Sequence, residues 1–297
     1  MLTQLFHLHA LSALHVGVGQ AVGSVDLPIA RAKATHLPLV PGSALKGVIR
    51  DEFVGSDPGI SARLFGPERI SGSEDGHAGA LAFGDAHLLL LPVRSLAGVM
   101  ALVTCPFVLG RYAADLRRAG LGEQPTVPEV ASGSAEVTAS SALAAVPGKL
   151  VLDDLDLDQA TGSAQAWGER IGGWLYSGDE PSRRQFLRHF AILSDQDFSF
   201  LADTATEVRA RVRIDDARGV VARGALWYEE NLPAESVLWG LIGVDRSRMK
   251  GAAADREQIR REFLGGLPQE TLLQVGGKAT IGRGLVRFLP AAAERSA

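Results

Sequence analysis

Leu8-His9-Ala10-Leu11-Ser12-Ala13-Leu14-His15-Val16-Gly17-Val18-Gly19 opens the decisive stretch of this sequence, and Leu37-Pro38-Leu39-Val40-Pro41-Gly42-Ser43-Ala44-Leu45-Lys46-Gly47-Val48-Ile49-Arg50 closes it. The first segment continues an alternating run from Leu2, which predicts a half-buried strand over 2–10. Residues 11–40 then read as a long irregular segment, glycine-spaced and carrying Asp26. Loops of that length inside compact domains tend to be functional or disordered. A helix is predicted over 43–54, with Leu45, Val48, Ile49 and Phe53 on one face and Ser43 as N-cap. Its first turn adds the Ser43 hydroxyl and the Lys46 ammonium to free backbone N–H groups, and Arg50 lies one turn on. That is an anion site in form. The plain alternative is an ordinary capped surface helix.

Working outward, the chain of 297 residues is long enough to bury a substantial core without disulfides or metal. Its apolar content of 46% and charged content of 22% are those of a soluble globular protein. A single cysteine, Cys105, allows no internal disulfide and fits a reducing cytoplasm. Its strand-like surroundings predict an inert buried thiol. The start of the chain lacks the charge, apolar block and cleavage site of a signal peptide, and no apolar run is long enough to span a bilayer. A net charge of −4 announces no nucleic acid, yet binding needs only a local basic surface.

Strands are predicted within 79–91, 99–105 and 150–158, and loops over 55–78 and 122–149. Helices are predicted over 164–175, 181–191 and 253–264. Residues 207–214 alternate, with Arg209, Arg211 and Arg213 on one face, and Val220 to Tyr228 returns as a second strand, which predicts a β-hairpin. Strands at 271–275 and 285–289 bracket Gly276-Gly277-Lys278-Ala279-Thr280-Ile281-Gly282-Arg283-Gly284. Strands and helices mix without regular alternation, so the fold class is α+β.

Several motifs fall short of their chemistry. Gly17-Val18-Gly19-Gln20-Ala21-Val22-Gly23 lacks the following helix that a dinucleotide site needs, since Pro28 blocks one. Ser43-Ala44-Leu45-Lys46-Gly47 lacks the full phosphate-loop spacing. The acidic positions of 150–158 lack the glycine and terminal glutamate of a calcium loop. The 276–284 segment is more suggestive, because glycines let backbone approach a phosphate beside Lys278 and Arg283, though a turn would also suit them. The arginine ladder beside Trp227-Tyr228 suits distorted or single-stranded nucleic acid, though a solvated face is the common fate of such a ladder. Asp26 is the only carboxylate between Met1 and Arg50, with Arg31 and Lys33 just downstream. It is a candidate metal ligand or general acid–base group, against the duller role of a loop cap. Glu229 and Glu230 are candidate second carboxylates.

Six segments read together carry a family resemblance: Leu8 to Gly19, Val25-Asp26-Leu27-Pro28-Ile29, Leu37 to Arg50, Ile192-Leu193-Ser194-Asp195, Gly224-Ala225-Leu226-Trp227-Tyr228-Glu229-Glu230-Asn231-Leu232-Pro233, and 276–284. Together they resemble the RAMP superfamily of CRISPR-associated proteins, most nearly the repeated backbone subunit of type III-B (Cmr) RNA-silencing complexes. The resemblance implies a ferredoxin-like (RRM-like) core with insertions and a thumb hairpin. It implies one domain over 1–297, with core segments about 1–105 and 236–289, an insertion about 106–235, and the thumb about 207–231. It further implies copies stacked along a guide RNA, with each thumb displacing a base pair of the guide–target duplex. The target RNA is then cut at regular intervals with a weakly held divalent metal, Mg or Mn. The role of the essential loop aspartate carries to Asp26, as catalytic acid and metal ligand. His15, Glu229 and Glu230 stand at matching positions, and nothing carries over to 106–149.

Physics and resemblance agree, because base pairing to a guide reads the sequence and the protein needs only backbone contacts. Ser43, Lys46, Arg50, Gly276, Gly277, Lys278, Gly282, Arg283, Gly284, Arg31, Arg209 and Arg211 are the expected RNA-binding set. A displaced nucleotide can swing its 2′-hydroxyl into line with the adjacent phosphate, so that much of the catalysis is positioning. Two other readings share these cations: an RNA-binding scaffold without catalysis, and a nuclease that trims the guide precursor. The expected partners are guide RNA, single-stranded target RNA, copies of the chain and other Cmr subunits, with no membrane.

Overall fold

β1 (Leu2–Ala10) occupies the residues its alternation predicts, but Gln4 through Ala10 are all buried. Both faces of this strand are covered, so it is not the half-exposed strand expected. The computed structural model describes residues 1–19, 25–53, 57–67, 76–215, 217–268 and 271–291. Gly23, the last glycine of the first loop motif, lies outside them.

After the long loop come β2 (Leu39–Val40), α1 (Gly42–Glu52) and α2 (Pro58–Phe65). β3 (Leu81–Phe83), β4 (Ala86–Arg94), β5 (Met100–Thr104) and α3 (Pro106–Arg118) follow. β6 (Ser134–Val137), β7 (Ala144–Val146), β8 (Lys149–Leu152) and β9 (Leu155–Ala160) lead to α4 (Ala164–Leu175) and α5 (Glu180–His189). β10 (Phe190–Leu193) and α6 (Asp195–Thr204) precede a hairpin of β11 (Glu207–Asp215) and β12 (Val220–Asn231). β13 (Val237–Val244), α7 (Arg256–Gly265), β14 (Thr271–Gln274) and β15 (Leu285–Pro290) complete the order.

The result is a mixed α/β fold on a large, mostly antiparallel sheet. Its order is β14-β15-β1-β13-β4-β5-β10-β6-β9-β8-β7, with β2 beside β4 and β3 beside β13. Among the described strands, β5–β10 and β6–β9 pair in parallel. Phe53, Phe65, Phe83 and Phe263 stack to join α1, α2 and α7 to β3. Tyr112 of α3 packs on Trp239 and Trp167 and meets His7 Nε2 through its hydroxyl at 2.7 Å. Burial lowers the His7 pKa to about 3, so the ring stays neutral inside the core. Cys105 is a buried free thiol, as expected. Among the described residues no helix is long and apolar enough to cross a membrane.

The departures have local causes. Residues 150–158 do not run as one strand: the chain reverses at Asp153-Asp154, and Asp153 takes a left-handed φ of 52°. Aspartate tolerates that conformation, and the leucine alternation changes phase there, from Leu150 and Leu152 to Leu155 and Leu157. The expected loops hold α2, β6 and β7, and the helix expected to reach 191 ends at His189, where β10 begins. Ser43 does not cap α1: Pro41 is the N-cap residue, and it is the Asp85 carboxylate that accepts the Gly42 N–H, at 2.9 Å. Asp85 thereby occupies the positive helix end that the sequence offers to an external anion.

Gly42 is set by close approach, since a Cβ there would lie 2.3 Å from the Phe83 carbonyl oxygen. Helix propensity favours alanine by at most about 1 kcal/mol, whereas overpacking against a backbone costs about 1–3 kcal/mol. Gly42→Ala should therefore lower the urea midpoint of unfolding, and an unchanged or raised midpoint would show that β3 yields freely.

Candidate functional site

The first loop is fastened to one edge of β12. The Leu27 N–H donates to the Tyr228 carbonyl at 3.1 Å, and the Glu230 N–H donates to the Leu27 carbonyl at 3.0 Å. The exposed Asp26 accepts the Tyr228 N–H through Oδ2 at 2.7 Å. His15 places Nδ1 2.7 Å from the Glu230 carbonyl. A carbonyl only accepts, so Nδ1 carries a proton, and in the neutral tautomer Nε2 is an acceptor. Tyr228 and Glu230 are two residues apart, so the two anchor points lie about 7 Å apart along the strand.

Consecutive glutamates on β12 then face opposite ways. Glu230 is buried and internally satisfied: Oε1 takes Arg31 at 2.7 Å and the Thr206 hydroxyl at 3.0 Å, and Oε2 takes the Ile29 N–H at 3.1 Å. Glu229 is fully buried, with Oε2 3.5 Å from Arg211 Nε and Oε1 3.6 Å from Arg283 Nε. Neither oxygen has a hydrogen-bond partner among the described residues. Burial works against its charge, yet Arg211, then His15 and Lys278, outweigh that and lower its pKa.

The second glycine loop closes on the first. The Gly277 N–H donates to the His15 carbonyl at 2.9 Å, and the Gly284 N–H to the Ala13 carbonyl at 2.9 Å. Gly276, at φ 82°, leaves no room for a side chain, because a Cβ would meet the His15 carbonyl oxygen at 2.3 Å. Gly282 faces open space at φ 77°. Lys278 takes a left-handed φ of 68° and has no ion-pair partner among the described residues.

The structure thus brings together Asp26, His15, Glu229, Arg211, Lys278 and both glycine segments. It sets other expected residues apart. Arg31 is spent inside, on Glu230, Asp203 and the Ala202 carbonyl, because the loop needs a cation to neutralise Glu230. Arg283 is buried against Glu229 rather than open to a strand. Arg209 is exposed and paired with Glu207 at 2.7 Å. The three-arginine ladder breaks, since the register shifts between Val212 and Ile214 and Arg213 falls in the gap. Lys46 and Arg50 line a cavity with Asp245 and Arg248. That cavity lies at the Met1 end of β1, whereas Asp26 and His15 lie beyond its Ala10 end. Ser43 is exposed in the first turn of α1. Thr206 and the Tyr228 backbone were not readable beforehand, because a backbone donor leaves no mark in residue type. Among the described residues no three His, Cys, Asp or Glu side chains gather as a metal set.

Because its folded pKa is lowered, Glu229 stabilises the fold above its ordinary value of 4.5, and that contribution is lost as pH falls through the lower folded value. Glu229→Gln should therefore unfold at lower denaturant than the parent at pH 7, and the gap should narrow in acid. A gap that is constant or grows in acid would remove the cationic cage as its cause.

A model of the RAMP superfamily matches residues 7–287. The CRISPR system Cmr endoribonuclease Cmr4 of Pyrococcus furiosus is 33% identical, across 97% of this chain and 95% of that protein. The crystal structure of oligomeric Cmr4 from the same organism superposes with a TM-score of 0.74 at 28% identity, covering 97% of this chain and 98% of that one. A chain of the type III-B Cmr-beta complex bound to cognate target RNA shares the fold, with a TM-score of 0.73 at 19% identity, over 98% and 97% of the two chains. A match of this length, running through both glycine segments and the hairpin between them, places the chain in the RAMP superfamily, among the Cmr4 proteins.

Proposed function

We propose that this chain is a repeated backbone subunit of a type III-B CRISPR effector, binding guide RNA and cutting the paired target RNA at regular intervals. The observation that carries this is the exposed Asp26 carboxylate, held by one oxygen on the Tyr228 N–H beside the acceptor nitrogen of His15. Its other oxygen is left to act on an incoming ribose. The order β15-β1-β13-β4, with α1 and α7 in the crossovers, supports a ferredoxin-like core. The hairpin β11–β12 supports a thumb: Val208, Val212, Leu226 and Tyr228 are about half exposed along it, which suits insertion between bases. Copies of the chain, guide RNA, target RNA and other Cmr subunits are the partners of this function, in the cytoplasm.

Each residue has a defined task in that function. Asp26 receives the proton of the attacking 2′-hydroxyl or holds a metal, and His15 Nε2 accepts or returns a proton at the scissile phosphate. Arg211 and Lys278 set a positive field there, which Glu229 keeps in place from below. Glu230 does not reach the reacting atoms and positions the Asp26 loop. A divalent ion would find a single protein carboxylate, Asp26, with phosphate oxygens and water completing its shell, which suits weakly held Mg or Mn. Such an ion would supply charge for the departing oxygen.

Asp26→Asn in the assembled complex should slow target cutting by at least about 100-fold while guide and target still bind. Chelation should also stop cutting by the parent complex, and Mg or Mn should restore it. Cutting by Asp26→Asn at the parent rate would leave the chain a binding scaffold, and cutting of repeat RNA without a target would favour the guide-trimming alternative.

A further inference from the structure

Arg31 stands five residues beyond Asp26, on the loop whose cations the sequence offers to RNA. Its side chain is only 11% exposed, and its two terminal nitrogens make five hydrogen bonds, all to protein groups. Nη1 donates to the His36 carbonyl at 2.8 Å, to the Ala202 carbonyl at 3.1 Å and to Asp203 Oδ1 at 3.2 Å. Nη2 donates to the Ala202 carbonyl at 3.2 Å and to Glu230 Oε1 at 2.7 Å. Asp203 Oδ1 also meets His36 Nδ1 at 2.8 Å. His36 takes a left-handed φ of 58°, a conformation that histidine adopts more readily than most residues. One guanidinium therefore joins the loop, the end of α6 and β12.

Glu230 is the link from Arg31 back to Asp26. The Leu27 carbonyl accepts the Glu230 N–H, the Ile29 N–H donates to Oε2, and Arg31 donates to Oε1. Alternate residues of the loop, 27, 29 and 31, thus close on a single residue of the hairpin. Thr206, at the entry to β11, adds its hydroxyl to the same Oε1 at 3.0 Å. Arg31 and Thr206 together fix the plane of the carboxylate whose other oxygen holds Ile29, three residues from Asp26. A phosphate could take Arg31 only by leaving the buried Glu230 with an unanswered charge, which is strongly unfavourable. A lysine would carry the same charge but lacks the planar fork that bridges three segments.

We propose that Arg31 is a positioning residue for RNA cutting: it touches no phosphate, and through Glu230 it ties the Asp26 loop to the end of α6. The proposal rests on the function proposed above and gives α6 a task in it, since that helix supplies the Ala202 carbonyl and Asp203. A misplacement of about 1 Å can cost about 100-fold in rate. Arg31 therefore separates cutting from holding, whereas a phosphate contact would act on holding first.

The test uses the assembled complex with guide and target RNA. Arg31→Lys should bind both RNAs with the parent affinity and an unchanged slope of log affinity against log salt. At saturating target it should cut about 10- to 100-fold more slowly. A phosphate contact would behave in the opposite way. Lysine would serve there as a point charge, cutting would hold, and Arg31→Ala would flatten the salt slope by about 0.7. That outcome overturns the proposal. Thr206→Val keeps every charge and nearly the shape while removing one hydrogen bond from Glu230, so it should slow cutting by a smaller factor with binding intact. If Arg31→Lys fails to assemble, Thr206→Val decides alone, and cutting at the parent rate overturns the proposal. Added to Asp26→Asn, Arg31→Lys should cost little further, because both act on one loop. Losses that multiply in full would place its effect elsewhere and also overturn it. Failure of the proposed function shows separately, as parent-rate cutting by Asp26→Asn. The Arg31 assignment fails instead where Asp26→Asn is slow and Arg31→Lys is not.

Discussion

Glu230 is the group on which the geometry of the site depends. Its carboxylate binds Arg31, Thr206 and the Ile29 N–H, its carbonyl takes His15, and its N–H reaches Leu27. Arg31 then continues to the end of α6 through the Ala202 carbonyl. One residue of the hairpin therefore joins the loop that bears Asp26, the segment that bears His15, and a helix of the body. Removing one partner of a buried pair costs about 3–5 kcal/mol, far more than an exposed pair is worth. The loop has few bulky side chains to pack, and hydrogen bonding to a strand edge replaces the missing hydrophobic anchoring. It stays open to solvent at Asp26 and fixed at Ile29.

The neighbouring Glu229 answers a different problem. Cations gathered on one loop repel one another and drift apart. A buried carboxylate between Arg211 and Arg283 cancels that repulsion while leaving Lys278 without an ion-pair partner among the described residues. The pleat of β12 puts the two acids on opposite faces, so one strand both holds the loop and stores the counter-charge. Gly276 ties the second loop to the same place, because the His15 carbonyl fills the space of its missing side chain.

Much of this was legible in the residues. β1 was placed to the residue, α1 within two, and the hairpin by its alternation. Asp26, His15 and the 276–284 segment were singled out by lone charge, resemblance and glycine spacing, and the fold brings them together. What sequence could not give was the pairing of charges distant along the chain. Arg31 and Arg283 read as open cations because their partners, Glu230 and Glu229, lie 199 residues downstream and within the hairpin. The same blindness made Ser43 a cap, since Asp85 reaches Gly42 from 43 residues away. Residue type marks a charge; only the fold says whether that charge is already answered.

That distinction also explains how a chain of net charge −4 can suit a polyanion. Several of its carboxylates are committed: Glu262 to Arg63, Asp245 to Arg256, Asp203 and Glu230 to Arg31. Lys46, Lys250 and Lys278 remain without ion-pair partners among the described residues, and they stand at the two ends of β1. Nine strand residues separate those ends by about 30 Å, roughly nine steps of a stacked strand at 3.4 Å each. Over that span exposed charges are screened from one another by physiological salt. Two positive regions that far apart therefore act independently of one another. The rigid, doubly covered β1 between them sets their separation, which flexible surface lysines on a loop would not do.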